Sequence, residues 1–263
     1  MRISVNAPSY KRAGDVRTLK YMPFCRIWVD FGEYDEYCEK NPGAEIVSCP
    51  RGVQGNVSRV RNWILKSEFE RGIEAVLIVD DDLAYIERYD VDKESGFGYV
   101  RHKIETEDIM HLVEKYSIMA QELGAKQWGM SPNSDARNLI HFRPFSTNQI
   151  VLGPFSCFLH GNRCWYDENL PLKEDYDMAL QQLEKERVIL RVNYLHYFCD
   201  QSHSAGGCAA YRNREREEEQ FRLLQKKWGE RIVHRDGGGK DGTAKVRLFE
   251  DYNPIIKVPI KGI

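Results

Sequence analysis

The chain has 263 residues, 42% of them hydrophobic and 30% charged, proportions close to those of an average soluble protein, which excludes wholesale disorder, a collagen-like chain and a coiled coil. Lysine plus arginine number 38 against 40 acidic residues, a net of −2, so no global positive field advertises nucleic acid and any polyanion site must be a local patch. The strongest apolar run, Ala75 to Val79, falls far short of the ~20 residues that a bilayer span needs.

Met1-Arg2-Ile3-Ser4-Val5 runs straight into a strand pattern without a cleavable apolar segment, so the expectation is a cytoplasmic protein with no membrane partner. Ile3 to Ala7, Cys25 to Asp30, Glu45 to Ser48 and Ala75 to Asp80 are short apolar runs. The polar stretches between them, such as Gly14 to Tyr21 and Val57 to Arg71, have the length of crossover helices. This alternation predicts an α/β fold with a mostly parallel central sheet and helices on both faces. In such sheets ligands settle at the carboxyl ends of the strands, where the strand order reverses.

Ile109, Leu112, Val113, Tyr116, Met119, Ala120 and Leu123 recur at helical spacing and predict a packing helix over 107–123, with Thr106 as its N-cap. Residues 138–160 read as extended strands broken by Pro144 and Gly153-Pro154, Val188 to Phe198 as another strand, and Ala209 to Trp228 as a charged helix before a glycine-interrupted tail. The run Arg214 to Glu219 reads as a solvated helix face. Seven cysteines, none in a Cys-x-x-Cys pair, read as buried free thiols, and no spacing among Cys157, Cys164, Cys199 and Cys208 matches a zinc knuckle.

Chemistry concentrates at the strand ends. The fourth strand delivers Asp80-Asp81-Asp82, and adjacent carboxylates on a rigid sheet edge suit a hard divalent cation, Mn²⁺ or Mg²⁺, that also touches phosphate. A spacing of two places Asp80 and Asp82 on one side of an extended segment, with Asp81 opposite. After the first strand come Pro8, Ser9, Tyr10, Lys11 and Arg12, a hydroxyl, an aromatic ring and cations suited to a nucleobase and a diphosphate. The second strand ends in Asp30, placed to hydrogen-bond a base or ribose, and the third leads through Gly52 and Gly55 into a helix start carrying Arg59, Arg61 and Asn62, a phosphate-binding arrangement. Acidic turns, plain helix caps and a surface tyrosine would account for each feature separately, but their recurrence at successive strand ends favours a site.

These residues, together with Lys173-Glu174-Asp175-Tyr176-Asp177, resemble the ordered motifs of GT-A glycosyltransferases over roughly residues 1 to 200. Within that fold the sequence is most similar to the TET-associated glycosyltransferases of bacteriophages and their relatives, which are thought to glycosylate hydroxymethylated bases in DNA. The resemblance implies one GT-A (Rossmann-like) domain over 1–263: a nucleotide-sugar-binding half over 1–100, an acceptor half over 101–208, and a C-terminal helix and tail over 209–263. It implies a nucleotide-sugar donor, a uridine diphosphate sugar. Pro8, Ser9, Tyr10, Arg12, Asp30, Arg59, Arg61, Asn62, Asp80 and Asp81 would line the donor site, and Asp82, with Asp80 and a late histidine, would hold the metal. His203, in a loop beside Ser204-Ala205-Gly206-Gly207, is preferred as that histidine over His196, which alternates within a strand. With three consecutive aspartates the register of the family's Asp-x-Asp stays open.

Asp175, with Glu174 second, is the expected reactive carboxylate, because an acceptor hydroxyl needs a general base that is ionised at neutral pH. Arg137, Arg143 and Trp165 are the expected acceptor contacts, from a stretch over 125–165 in which cations alternate with aromatics and which suits an extruded base. The acceptor implied by the family is 5-hydroxymethylcytosine in DNA. A glycan, lipid or protein hydroxyl would use the same chemistry. A silent nucleotide- or nucleic-acid-binding module and a metal-dependent nucleotidyltransferase are the alternatives of other classes.

Overall fold

The computed structural model describes residues 1–91, 99–132, 139, 142–199, 213–235 and 252–258. In chain order the elements are β1 (Ile3–Pro8), α1 (Thr18–Tyr21), β2 (Arg26–Val29), α2 (Tyr34–Lys40), β3 (Ile46–Ser48), α3 (Val57–Glu70), β4 (Ala75–Val79), β5 (Leu83–Val91), β6 (Tyr99–Lys103), α4 (Ile109–Glu122), β7 (Gln127–Ser131), β8 (Phe145–Ser146), β9 (Phe155–Leu159), α5 (Glu174–Lys185), β10 (Leu190–Cys199), α6 (Arg214–Trp228), β11 (Val233–Arg235) and β12 (Pro254–Ile256). One large sheet has the order β3-β2-β1-β4-β9-β7-β10-β5-β6, with β8 also pairing β10. β1, β2, β3, β4, β6, β7 and β10 run one way, and β5, β8 and β9 the other.

The sheet is covered on both faces, and β4 shows why its residues form a central strand. All five are fully buried, with Leu77 and Val79 in the cluster that contains Ile109, Val113 and Ala120 of α4. Val76 and Ile78 join Val60, Ile64 and Leu65 of α3 on the other face. Each such side chain contributes about 1.5–3 kcal/mol of burial. β2 and β3 lie on one edge of β1 and β4 on the other, so the strand order reverses between β1 and β4. That point places Ser9 to Arg12 beside Asp80 to Asp82.

Several elements differ from the sequence expectation. The helix expected from Gly14 is only the single turn Thr18–Tyr21, because its first residue is tied to the aspartate turn: Thr18 donates its hydroxyl to the Asp80 carbonyl (2.6 Å) and its N–H to the Asp81 carbonyl (3.1 Å). Thr106 does not cap α4. A 3-10 turn over Thr106–Asp108 precedes that helix, and the Thr106 hydroxyl donates to the Tyr21 carbonyl instead. α5 begins at Glu174, so Glu174 and Asp175 form its first turn. Residues 83–91, expected in the first half, form a strand that pairs with β10 and β6 across the sheet, so the run of parallel strands β1 to β4 closes at the aspartate turn. Cys25, Cys49, Cys157 and Cys164 are buried free thiols, Cys199 is half-buried and Cys38 is exposed, while Cys208 lies outside the described residues. Among the described residues, no helix is long and apolar enough to cross a membrane.

Gly129 in β7 marks the tightest packing of the sheet. A Cβ there would lie 2.2 Å from Val151 Cγ1 and 2.7 Å from the Phe155 carbonyl oxygen. Gly129→Ala should therefore cost on the order of 1–3 kcal/mol, read as a lower urea midpoint. An unchanged midpoint would show that the strand can shift to admit a methyl group.

Candidate active site

The switch point opens into a cleft of about 550 Å³. Its floor is the turn after β4. Asp80 to Asp82 leave the strand as a turn rather than an extended segment, so the alternation expected from spacing is not kept: Asp80 pairs with Arg61, while Asp81 and Asp82 share Arg12. Asp80 accepts from Arg61 Nη2 at 2.9 Å. Asp81 accepts from Arg12 Nη1 at 2.6 Å through Oδ1 and from the Ser9 hydroxyl at 2.5 Å through Oδ2. Asp82 Oδ2 lies 3.4 Å from the same Arg12 nitrogen, and its Oδ1 is buried with no hydrogen-bond partner. Burial pushes the Asp81 carboxyl up to about 6 against the pull of Arg12 and Ser9, and it raises Asp82 as well, helped by the charge of Asp80.

The β1 end is held by groups that no local sequence pattern signals. The Tyr37 hydroxyl of α2 bridges the Ser9 hydroxyl (2.8 Å) and the Arg12 N–H (3.0 Å). Gln54 Nε2 reaches the carbonyls of Ser9 and Trp28, pinning the loop after β3 against the ends of β1 and β2. Asn56 caps α3 by accepting from the Arg59 N–H, which turns the N-terminus of that helix toward the cleft, where Gly55, Asn56 and Val57 line the wall.

The opposite wall is the start of α5. Glu174 accepts from Arg61 Nη1 at 2.8 Å, so one buried guanidinium joins the two walls. Asp175 accepts from the backbone N–H groups of Gly153 (3.2 Å) and Tyr176 (2.8 Å). Burial raises both carboxyls. The Asp175 charge raises Glu174 further, whereas Arg61 and the two amide donors favour the ionised form of Asp175. The pair titrates as a unit, with Asp175 in the setting that better holds the negative charge. Gly153 permits this arrangement, since a Cβ there would lie 2.7 Å from Arg61 Nη1. Tyr197 of β10 completes the rim, and burial beside these acids holds its hydroxyl protonated, as a donor.

Of the expected donor residues, Pro8, Ser9, Tyr10, Arg12, Arg61, Asp80 and Asp81 line the cleft, as do Asp82, Glu174 and Asp175. Three do not, because each has a local structural partner. Asp30 caps the 3-10 turn after β2 by accepting from the Gly32 N–H, Arg59 pairs with Glu168 and the Gly52 carbonyl, and Asn62 exchanges hydrogen bonds with the Tyr166 backbone. Arg143 is exposed away from the cleft and holds Asn193 through its carbonyl, while Trp165 is 42% exposed and also outside the lining. Trp128, Phe155 and Phe158 of the cation-and-aromatic stretch are fully buried core. Arg137 and His203 lie outside the described residues. His196 is buried beside Glu87 and stacked on Tyr89, away from the cleft lining.

The donor set suits a divalent cation. Among the described residues, no group of three or more His, Cys, Asp and Glu side chains is placed to hold a metal. Magnesium-type sites, however, take one or two carboxylates and complete their shell with substrate phosphates and water. The orphaned Oδ1 of Asp82 and the neighbouring Asp80 supply such a pair, and Arg12 and Arg61 are the cationic side chains of a cleft lined by Asp80, Asp81, Asp82, Glu174 and Asp175.

Arg12→Met leaves Asp81 and Asp82 buried without their cation and should destabilise the metal-free protein by roughly 3–5 kcal/mol at pH 7. The carboxyl values then rise further above the unfolded value of about 4. The folded state binds protons that the unfolded chain has released, so stability falls as pH rises through that window and is regained on acidification. Denaturant unfolding of the variant at pH 5 and pH 7.5 checks the sign, and a pH-independent loss would show that the pair carries no buried charge.

A model of the family described as TET-associated glycosyltransferase matches residues 3–207. No curated protein matches the chain. Among solved structures the chain is similar to A197 from STIV, at 14% identity over 76% of this chain and 85% of that one, with a TM-score of 0.39. It is similar to mannose-1-phosphate geranyltransferase from Thermus thermophilus at 10% identity over 75% and 76%, TM-score 0.39. It is also similar to a cytidylyltransferase from Leptospira borgpetersenii serovar Hardjo-bovis (strain JB197) at 10% identity over 86% and 95%, TM-score 0.38. The family match takes in every element from β1 to β10, including both carboxylate walls of the cleft, and the chain belongs to the TET-associated glycosyltransferase family.

Proposed function

We propose that this glycosyltransferase moves a sugar from a uridine diphosphate sugar to the hydroxymethyl group of 5-hydroxymethylcytosine in DNA, with Mn²⁺ or Mg²⁺ bound at the Asp80–Asp82 turn. The observation that carries the reading is the arrangement across Arg61: an acidic turn with an orphaned carboxylate oxygen on one wall, and a carboxylate pair, Glu174 buried and Asp175 half-buried, on the other. The DNA acceptor rests on the family.

Tyr10 and the β1 end would receive the nucleoside, and the α3 N-terminus would face the diphosphate, since unpaired N–H groups at a helix start favour anions. Asp82 and Asp80 would hold the divalent ion, which supplies charge neutralisation for the departing diphosphate. Arg61 keeps Asp80 and Glu174 in fixed relation, so donor and acceptor meet at a set separation. Asp175 takes the proton of the acceptor hydroxyl as it attacks the anomeric carbon and the nucleoside diphosphate departs. Deprotonation by a positioned carboxylate contributes about 10²–10⁴-fold.

Two measurements test this reading. Digestion and mass spectrometry of hydroxymethylated DNA, after incubation with a panel of uridine diphosphate sugars and Mn²⁺, should show a hexose or pentose adduct that Asp82→Ala abolishes while its melting transition persists. Undiminished transfer by that variant would remove the metal assignment, and transfer to a glycan or protein hydroxyl with DNA untouched would replace the acceptor. In the second measurement, Asp175→Asn should lose transfer by about a hundredfold or more while still binding UDP. Because the base acts when ionised and burial raises its value, the wild-type rate should climb with pH through a limb above the usual aspartate range of about 4. A rate flat from pH 4 to 8 would exclude Asp175 as the base.

A further inference from the structure

The stretch matched by the family ends at residue 207, yet the segment after it reaches the acceptor wall of the cleft. α6 packs Phe221 and Leu224 against Leu170 and Leu180, and it also lays charged and polar groups on both flanks of the carboxylate pair. Lys173, the residue before Glu174, is 1% exposed, and its ammonium donates to Glu217 Oε2 at 2.5 Å. Asp177, two residues after Asp175, is fully buried and accepts from Trp228 Nε1 at 2.8 Å and Lys227 Nζ at 3.0 Å. Gln220 Nε2 donates to the Asn169 carbonyl at 3.0 Å. Within the run Arg214 to Glu219, Arg214, Glu215, Arg216 and Glu219 are exposed, while Glu217 turns in toward Lys173.

The start of α5 has no side-chain cap of its own. The Tyr176 N–H of that first turn is taken by Asp175 Oδ1, and the residues on either side of the carboxylate pair are held from outside the helix. α6 grips the chain through side-chain contacts at Lys173 and Asp177 while Glu174, Asp175 and Tyr176 between them line the cleft. The strand pair that follows brings Asn253 into the cleft lining.

We propose that residues 213–235 and 252–258 form a clamp that sets the position of the acceptor-side carboxylates, with Lys173 and Asp177 as positioning residues held by Glu217, Lys227 and Trp228. This rests on the transferase reading given above. The donor side is built on β1, β4 and α3, which the side chains of α6 named here do not contact, so the clamp acts chiefly on acceptor turnover.

The test uses the full chain. Lys173→Met combined with Glu217→Leu removes both charges, so no ion is left buried alone. Melting temperature, UDP affinity with Mn²⁺, and the rate and pH profile of transfer to hydroxymethylcytosine DNA are then compared with wild type. The expected result is a melting temperature and UDP affinity near wild type, with transfer slower by roughly tenfold or more and the acidic limb of its pH profile displaced. Trp228→Phe, which keeps an aromatic ring and loses the N–H to Asp177, should move the same readouts if the double variant does not fold. Wild-type rates and an unmoved pH profile in a folded variant would reduce α6 to a packing element and overturn the proposal. Loss of UDP affinity in parallel with rate would overturn it too, by showing that the clamp does not act on one wall alone. A wild-type chain that binds UDP but modifies no hydroxymethylated DNA would instead overturn the acceptor reading underneath.

Discussion

Arg61 leaves the second turn of α3, is almost wholly buried, and divides its guanidinium between Asp80 at the end of β4 and Glu174 at the start of α5. A planar guanidinium engages two carboxylates in fixed directions, so this one side chain sets the distance between the two walls of the cleft. Gly153 is shaped around it, as the space a Cβ would need is already filled by the guanidinium. Arg12 plays the matching part on the donor side, where it ties Asp81 and Asp82 to the end of β1.

Burying this many carboxylates around two arginines costs stability, since desolvated charge is tolerated only where it is paired or hydrogen-bonded. The raised values of Asp81, Asp82, Glu174 and Asp175 are the physical trace of that cost. On the function proposed above, a divalent ion and a diphosphate would complete the charge balance of this under-neutralised cleft. The C-terminal clamp proposed above would hold the residues on either side of the acidic helix start.

The parallel half of the fold is legible in the sequence because strands buried on both faces, such as β4, read as unbroken apolar runs. β5 and β6 are not, since antiparallel strands with a wetter face carry Glu87, Arg88, Arg101 and Lys103 in their length. β7 contains a glycine and a glutamine whose burial is decided by neighbours far along the chain. The site divides in the same way. Ser9, Arg12, Arg61 and the aspartate turn are readable because strand ends at a switch point are where ligands bind. Tyr37, Gln54, Gly153 and Lys173 reach the cleft or its supports from helices and loops with no local signal. Asp30, Arg59 and Asn62 lie outside the cleft lining, where they hydrogen-bond to Gly32, Glu168 and Tyr166.

The central claim is that the cleft between the Asp80–Asp82 turn and the start of α5 binds a nucleoside diphosphate together with a divalent cation. Calorimetric titration of UDP into the full chain, once with Mn²⁺ and once with chelator, measures this directly. The account predicts saturable binding with one UDP per chain in Mn²⁺, weakened at least tenfold by chelation. Equal affinity in both buffers, or no binding in either, would contradict it.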